Sequence, residues 1–151
     1  MKASARSLAL VFVAVALYAC GSSAAPTKEQ LAKQLTELSA ALQSSDLDAA
    51  ASHIMLPPDR SIDEMKPMLP RLLEKREISV EGVKLLIDKG QFGTLTEVFP
   101  DKGPKRAERV GANVEECYAF KLDDAEVMAR WTGSEFKIFR LDDVGKLAPK
   151  E

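Results

Sequence analysis

Four leucines set the first rhythm of the chain. Leu31, Leu35, Leu38 and Leu42 stand at i, i+4, i+7 and i+11, so a helical backbone brings them to one face. Thr27, with Gln30 three residues on, has the spacing of a capping box. The pattern predicts a helix over 28–44. Ser45 or Asp46 then opens a second, shorter helix whose apolar side is Leu47, Ala50, Ala51 and Ile54. The prolines of "LPPD" are expected to end it, because proline lacks the N–H a continuing helix needs.

Ser61 and Glu64 repeat the capping spacing ahead of "IDEMKPMLPRLLEKRE". Pro67 and Pro70 interrupt that segment, so one or two short helical pieces are expected within 62–77. Ser79 caps the next helix, Val80, Val83 and Ile87 share its face, and Gly90 stops it. "FGTLTEVFP" reads both ways: Phe92, Leu95, Val98 and Phe99 suit a helix, while Leu95, Glu97 and Phe99 alternate as in a strand. The Thr94–Glu97 spacing favours a helix. "DKGPKRAERVG" is expected to be a loop with one or two turns after Pro104, closed by Gly111.

The rhythm then shortens to a period of two. Strands are expected at 116–122, 126–131 and 135–141, with Thr132-Gly133-Ser134 as the hairpin loop between the last two. Val127, Ala129 and Trp131 share a face, as do Phe136, Ile138 and Arg140. Met128 and Arg130, and Lys137, Phe139 and Leu141, take the other faces. Neither face is wholly polar, so both should be partly covered. The fold class expected is α+β: several helices first, then a small antiparallel sheet on which they pack.

The first residues follow another pattern. Lys2 and Arg6 precede an unbroken apolar run of twelve, Leu8 to Ala19. A spanning helix needs about 20 apolar residues, whereas a secretory signal uses about 7–15. Small residues follow. "LYAC", Leu17 to Cys20, resembles the lipobox of bacterial lipoproteins, with Leu17, Ala19 and Cys20 matching and Tyr18 bulkier than usual. The resemblance implies cleavage before Cys20, a diacylglycerol on its sulfur and acylation of the new amino group. The organisation expected is a signal peptide over 1–19, a lipidated cysteine and tether over 20–26, and one α+β domain over 27–151. Gly21 and Ser22 after the cysteine resemble an outer-membrane address. The alternative is a secreted, non-lipidated protein cut after Ala24 or Ala25.

Charge and composition narrow the classes. The chain has 151 residues, 21 Lys and Arg against 23 Asp and Glu, and one His. A net charge of −2 lacks the basic excess of a nucleic-acid binder. One histidine excludes a multi-histidine metal site within a chain. Removing residues 1–19, with Lys2 and Arg6 and no acid, leaves 19 basic and 23 acidic residues, a net −4. Such a body is not drawn flat onto anionic lipid. If Cys20 is acylated or cut away, Cys117 is left alone. In "CYAF" it reads as a buried thiol rather than a nucleophile, which would want a nearby histidine.

Candidate chemistry is sparse. The sequence has no glycine-rich phosphate loop, CxxC, HExxH or GxSxG. Helices leading into a curved sheet, closed by "FKIFRLDDV" from Phe136 to Val144, resemble the NTF2-like (SnoaL-like) family. That resemblance implies a cone-shaped domain and, in its enzymes, His53 acting as general base with an acidic partner. A histidine at a helix C-terminus also serves as a favourable cation. Asp123-Asp124 and Asp142-Asp143 end two expected strands that run the same way. Together they could hold a hard cation, or serve as turn residues. Lys102, Lys105, Arg106 and Arg109 form a basic patch read as a solvated loop. The expectation is a lipid-anchored, non-catalytic envelope domain of binding or structural type, its partner a small apolar ligand or an envelope protein. The alternative class is an NTF2-like enzyme of isomerase or dehydratase type using His53 with an acidic partner. No catalytic residue, cofactor or metal is assigned, and Cys20 is the lipidation site.

Overall fold

The computed structural model describes residues 24–149. Helix α1 runs Lys28–Gln43, and its capping box is complete. The Gln30 N–H donates to the Thr27 hydroxyl, and the Thr27 N–H donates to Gln30 Oε1 at 2.7 Å. Leu31, Leu35, Leu38 and Leu42 are all buried. Asp46 caps α2, Leu47–Ser52. Prolines do not end this helix. It stops earlier, and Ile54 leaves it to form a parallel bridge with Ile138.

The proline-punctuated stretch is broken into three pieces. It forms α3 at Ile62–Met65, a 3₁₀ turn at Lys66–Met68 and α4 at Arg71–Glu74. Pro67 and Pro70 sit at the starts of the second and third pieces, where their missing N–H costs little. Only half of the Ser61 box forms: its hydroxyl accepts from the Glu64 N–H. Ser79 caps α5, Val80–Lys89, and Gly90 ends it.

In "FGTLTEVFP" the helix reading holds at Leu95–Val98, the alternation of Leu95, Glu97 and Phe99 forms no strand, and an unexpected strand precedes the helix. Strand β1, Gln91–Thr94, runs directly into α6, Leu95–Val98, through a Thr94–Glu97 capping box. The expected basic loop is instead a two-turn helix, α7, Lys102–Arg109. Pro104 lies in its first turn, where no intrahelical N–H bond is lost. Strands β2 Cys117–Leu122, β3 Ala125–Trp131 and β4 Phe136–Asp142 complete a sheet of order β1-β2-β3-β4, antiparallel throughout. A last 3₁₀ turn spans Val144–Leu147.

Both faces of the sheet are covered. Phe120, Val127, Ala129, Phe136 and Ile138 pack in one core with α1, α2 and α5. Cys117, Ala119 and Met128 pack in a second, under α6 and α7. One detail of the alternation changes. Met128 pairs with Arg140 but Ala129 pairs with Ile138, so Phe139 is an extra residue, a β-bulge. Beyond it the faces exchange: Leu141 joins the core of Ile138 while Phe139 packs with the second cluster.

The 3₁₀ turn after β4 docks on α5 and on the segment just before it, through one glycine at each contact. A Cβ on Gly82 would lie 2.0 Å from the Val144 carbonyl oxygen, and one on Gly145 would lie 2.7 Å from that of Arg76. Backbones approach this closely only where no side chain intervenes. Arg76 fastens the arrangement: its Nη2 donates to the carbonyls of Gly145 at 3.0 Å and Ala148 at 2.6 Å.

Candidate functional site: a groove beside the edge strand

Strand β4 is one edge of the sheet, and its outer side is clamped at two places. At one end the Ile138 N–H donates to the His53 carbonyl, and the Met55 N–H donates to the Ile138 carbonyl, each at 2.8 Å. At the other, Glu77 accepts twice: its carboxylate from the Asp143 N–H at 2.9 Å, and its carbonyl from the Val144 N–H at 3.1 Å. Between the clamps the broken 62–77 segment stands off from the strand. The gap is a groove of about 410 Å³, within the range of about 300–1,000 Å³ usual for small-molecule sites.

Its walls come from three places. Ile54, Met55, Leu56 and Pro57 form one; Met65, Met68, Leu69 and Leu72 form another; Phe139 and Leu141 of β4 form the third. Met68 is 42% exposed, and is the one large hydrophobic residue exposed among those described. Methionine is unbranched and polarisable, so three of them make an adaptable apolar surface. Arg71, Lys75, Glu77, Arg140 and Asp142 supply the charge. Arg140 Nη2 bonds the Asp142 carboxylate, while its Nε is buried without a partner.

His53 does not line this groove. It ends α2, with a side chain 13% exposed. Its Nδ1 hydrogen-bonds Gln34 Oε1. With Gln34 Oε1 as the acceptor, Nδ1 is the donor in this contact. Nε2 faces Glu37 at 3.9 Å. Burial pushes its pKa below the ordinary 6.5, outweighing the opposing pull of Glu37. The ring ties α1 to the end of α2 through its contact with Gln34.

The two Asp pairs do fall at one end of the sheet: Asp123, Asp124 and Asp143 line a shallow hollow there. The carboxylates that converge are a different set, Glu77, Asp142 and Asp143, within 4.8 Å of one another. Each has a partner: Arg140 on Asp142, Lys146 on Asp143, and the Asp143 N–H on Glu77. Asp123 and Asp143 have φ of 52° and 57°, a left-handed conformation that Asp tolerates better than most residues. Turn chemistry accounts for both.

Lys102 is drawn out of the basic patch. It pairs with Glu126, whose side chain is only 11% exposed on β3, and lies 4.9 Å over the Phe99 ring. Cys117 is fully buried, and its thiol donates to the Asn113 carbonyl. Burial pushes its pKa up to about 11, so it is held as the inert thiol. Cys20 and the apolar run before it lie outside the described residues. Among the described residues no helix is long and apolar enough to cross a membrane.

The groove was missed in the sequence because its walls are far apart along the chain. "MKPML" carried a faint signal: prolines that break a helix whose apolar residues then have no continuous face. Compared with known proteins, the chain matches no family model, no curated protein and no solved structure.

Proposed function

We propose that this is a lipid-anchored envelope protein whose α+β domain holds a small apolar ligand beside β4. The observation that carries the binding role is the methionine-walled groove, apolar inside and charged at its margin. The apolar run ending in "LYAC" supports the anchor. One acyl chain holds a protein only marginally at a membrane, and two or more hold it stably. The acylation expected of Cys20 meets that need, and the net-acidic domain stands off from the surface on its tether. His53, Glu37 and Gln34 serve as framework in this reading.

Two variants test it. Cys20→Ser removes the acylated sulfur and should release the protein from membrane fractions; unchanged partitioning and maturation would refute the anchor. Met68→Glu places a charge in the groove from an exposed position, where the fold tolerates it. The neutral dye N-phenylnaphthylamine should fluoresce with the parent chain and lose most of that signal with Met68→Glu. Equal signals would refute the groove as the binding site.

A further inference from the structure

The charged groups around the groove are not balanced within it. Its acids are engaged: Asp142 by Arg140, and Glu77 by the backbone of Asp143. Its cations are less so. Arg71 and Lys75, four apart on and just after α4, share a face. Neither makes an ion pair among the described residues. Arg140 keeps a buried Nε–H with no acceptor. A buried donor left unmatched is costly, more so on a charged group. The groove therefore offers an apolar trough with cationic donors that lack acceptors.

We infer that the groove takes a single-chain alkyl carboxylate, with its tail along Met55, Met65 and Met68 and its head held by Arg71, Lys75 and Arg140. This rests on the groove being the binding site. The volume suits one chain rather than a two-chain lipid, lying near the low end of the usual range. A flexible tail matches methionine walls, which adjust to an irregular apolar shape. The edge of β4 is poorly made for an extended peptide. Its free stretch is short, clamped at Ile138 and again at Asp143–Val144. It also begins with the Phe139 bulge, and bulges blunt edge pairing.

The test uses the full chain carrying Cys20→Ser and displacement of N-phenylnaphthylamine by laurate, by 1-dodecanol and by an extended apolar peptide. Laurate should compete about tenfold or more better than dodecanol, the margin expected of a charged hydrogen bond. Arg71→Ala/Lys75→Ala, both at exposed positions, should shrink that margin by weakening laurate more than dodecanol. Equal competition by laurate and dodecanol, or displacement by the peptide alone, overturns the carboxylate inference while leaving the groove as a site. Absence of groove-dependent dye binding, judged against Met68→Glu, overturns both.

Discussion

Gly82→Ala sets two effects against each other, and the structure decides between them. In a helix interior the change from Gly to Ala stabilises by about 1 kcal/mol. Here, however, the new Cβ would meet the Val144 carbonyl oxygen at 2.0 Å and its carbon at 2.8 Å. Carbon–oxygen contacts settle at about 3.3–3.6 Å. The last 3₁₀ turn would have to retreat from α5 by more than about 1 Å. Val144 is fully buried and its N–H bonds the Glu77 carbonyl, so the retreat opens core and strains one clamp of the groove. Overpacking of this kind costs about 1–3 kcal/mol and occasionally more. A 2.0 Å contact with backbone puts the cost at the upper end, about 3 kcal/mol, so after the helix gain stability should fall by about 2 kcal/mol. Urea unfolding followed by circular dichroism measures it. With a slope of about 1–3 kcal/mol per molar, the midpoint should drop by about 1 M. Glu81→Ala, exposed on the same helix, is the control and should stay within about 0.5 kcal/mol of the parent. A Gly82→Ala protein as stable as the parent, or more so, would refute the close-packing argument.

Other expectations concern charge. Lys102→Met leaves the Glu126 carboxylate on a covered face without its cation. It should destabilise by about 1–3 kcal/mol, and adding Glu126→Gln should recover part of the loss; additive single effects in a double-mutant cycle would contradict the coupling. His53 has its pKa lowered by burial, against Glu37 and Glu135 and with Lys137. Below the ordinary 6.5 the unfolded chain takes up a proton that the folded chain does not. Stability should therefore fall as pH drops from 6.5 toward the folded pKa. His53→Gln should flatten that part of the stability–pH curve, and an identical slope in both proteins would contradict it.

The local signals were legible in the sequence because each is a short-range agreement. The leucine spacing of α1, the caps at Thr27, Asp46, Ser79 and Thr94, and the Thr132–Ser134 hairpin all depend on residues a few positions apart. What escaped depends on partners distant in the chain. Strand β1 has four residues and exists through pairing with β2, so alternation alone could not reveal it. The bulge at Phe139 adds one residue against β3 and exchanges the faces beyond it. Gly82 is unfavourable by helix propensity alone, and what requires it is Val144, distant in the chain. The groove joins residues 54–57, 65–77 and 138–142, and no pattern within any one of them announces the other two.

The methionine methyl groups report on the groove directly. Met55, Met65 and Met68 line it, whereas Met128 is buried in the second core across the sheet. A ¹³C-methyl spectrum of the full chain carrying Cys20→Ser, titrated with laurate, follows all four at once. Shifts at Met55, Met65 and Met68 that saturate together, with Met128 unmoved, are the result predicted. Saturating ligand that leaves those three unmoved, or that moves Met128 instead, would contradict the assignment of this groove as the binding site.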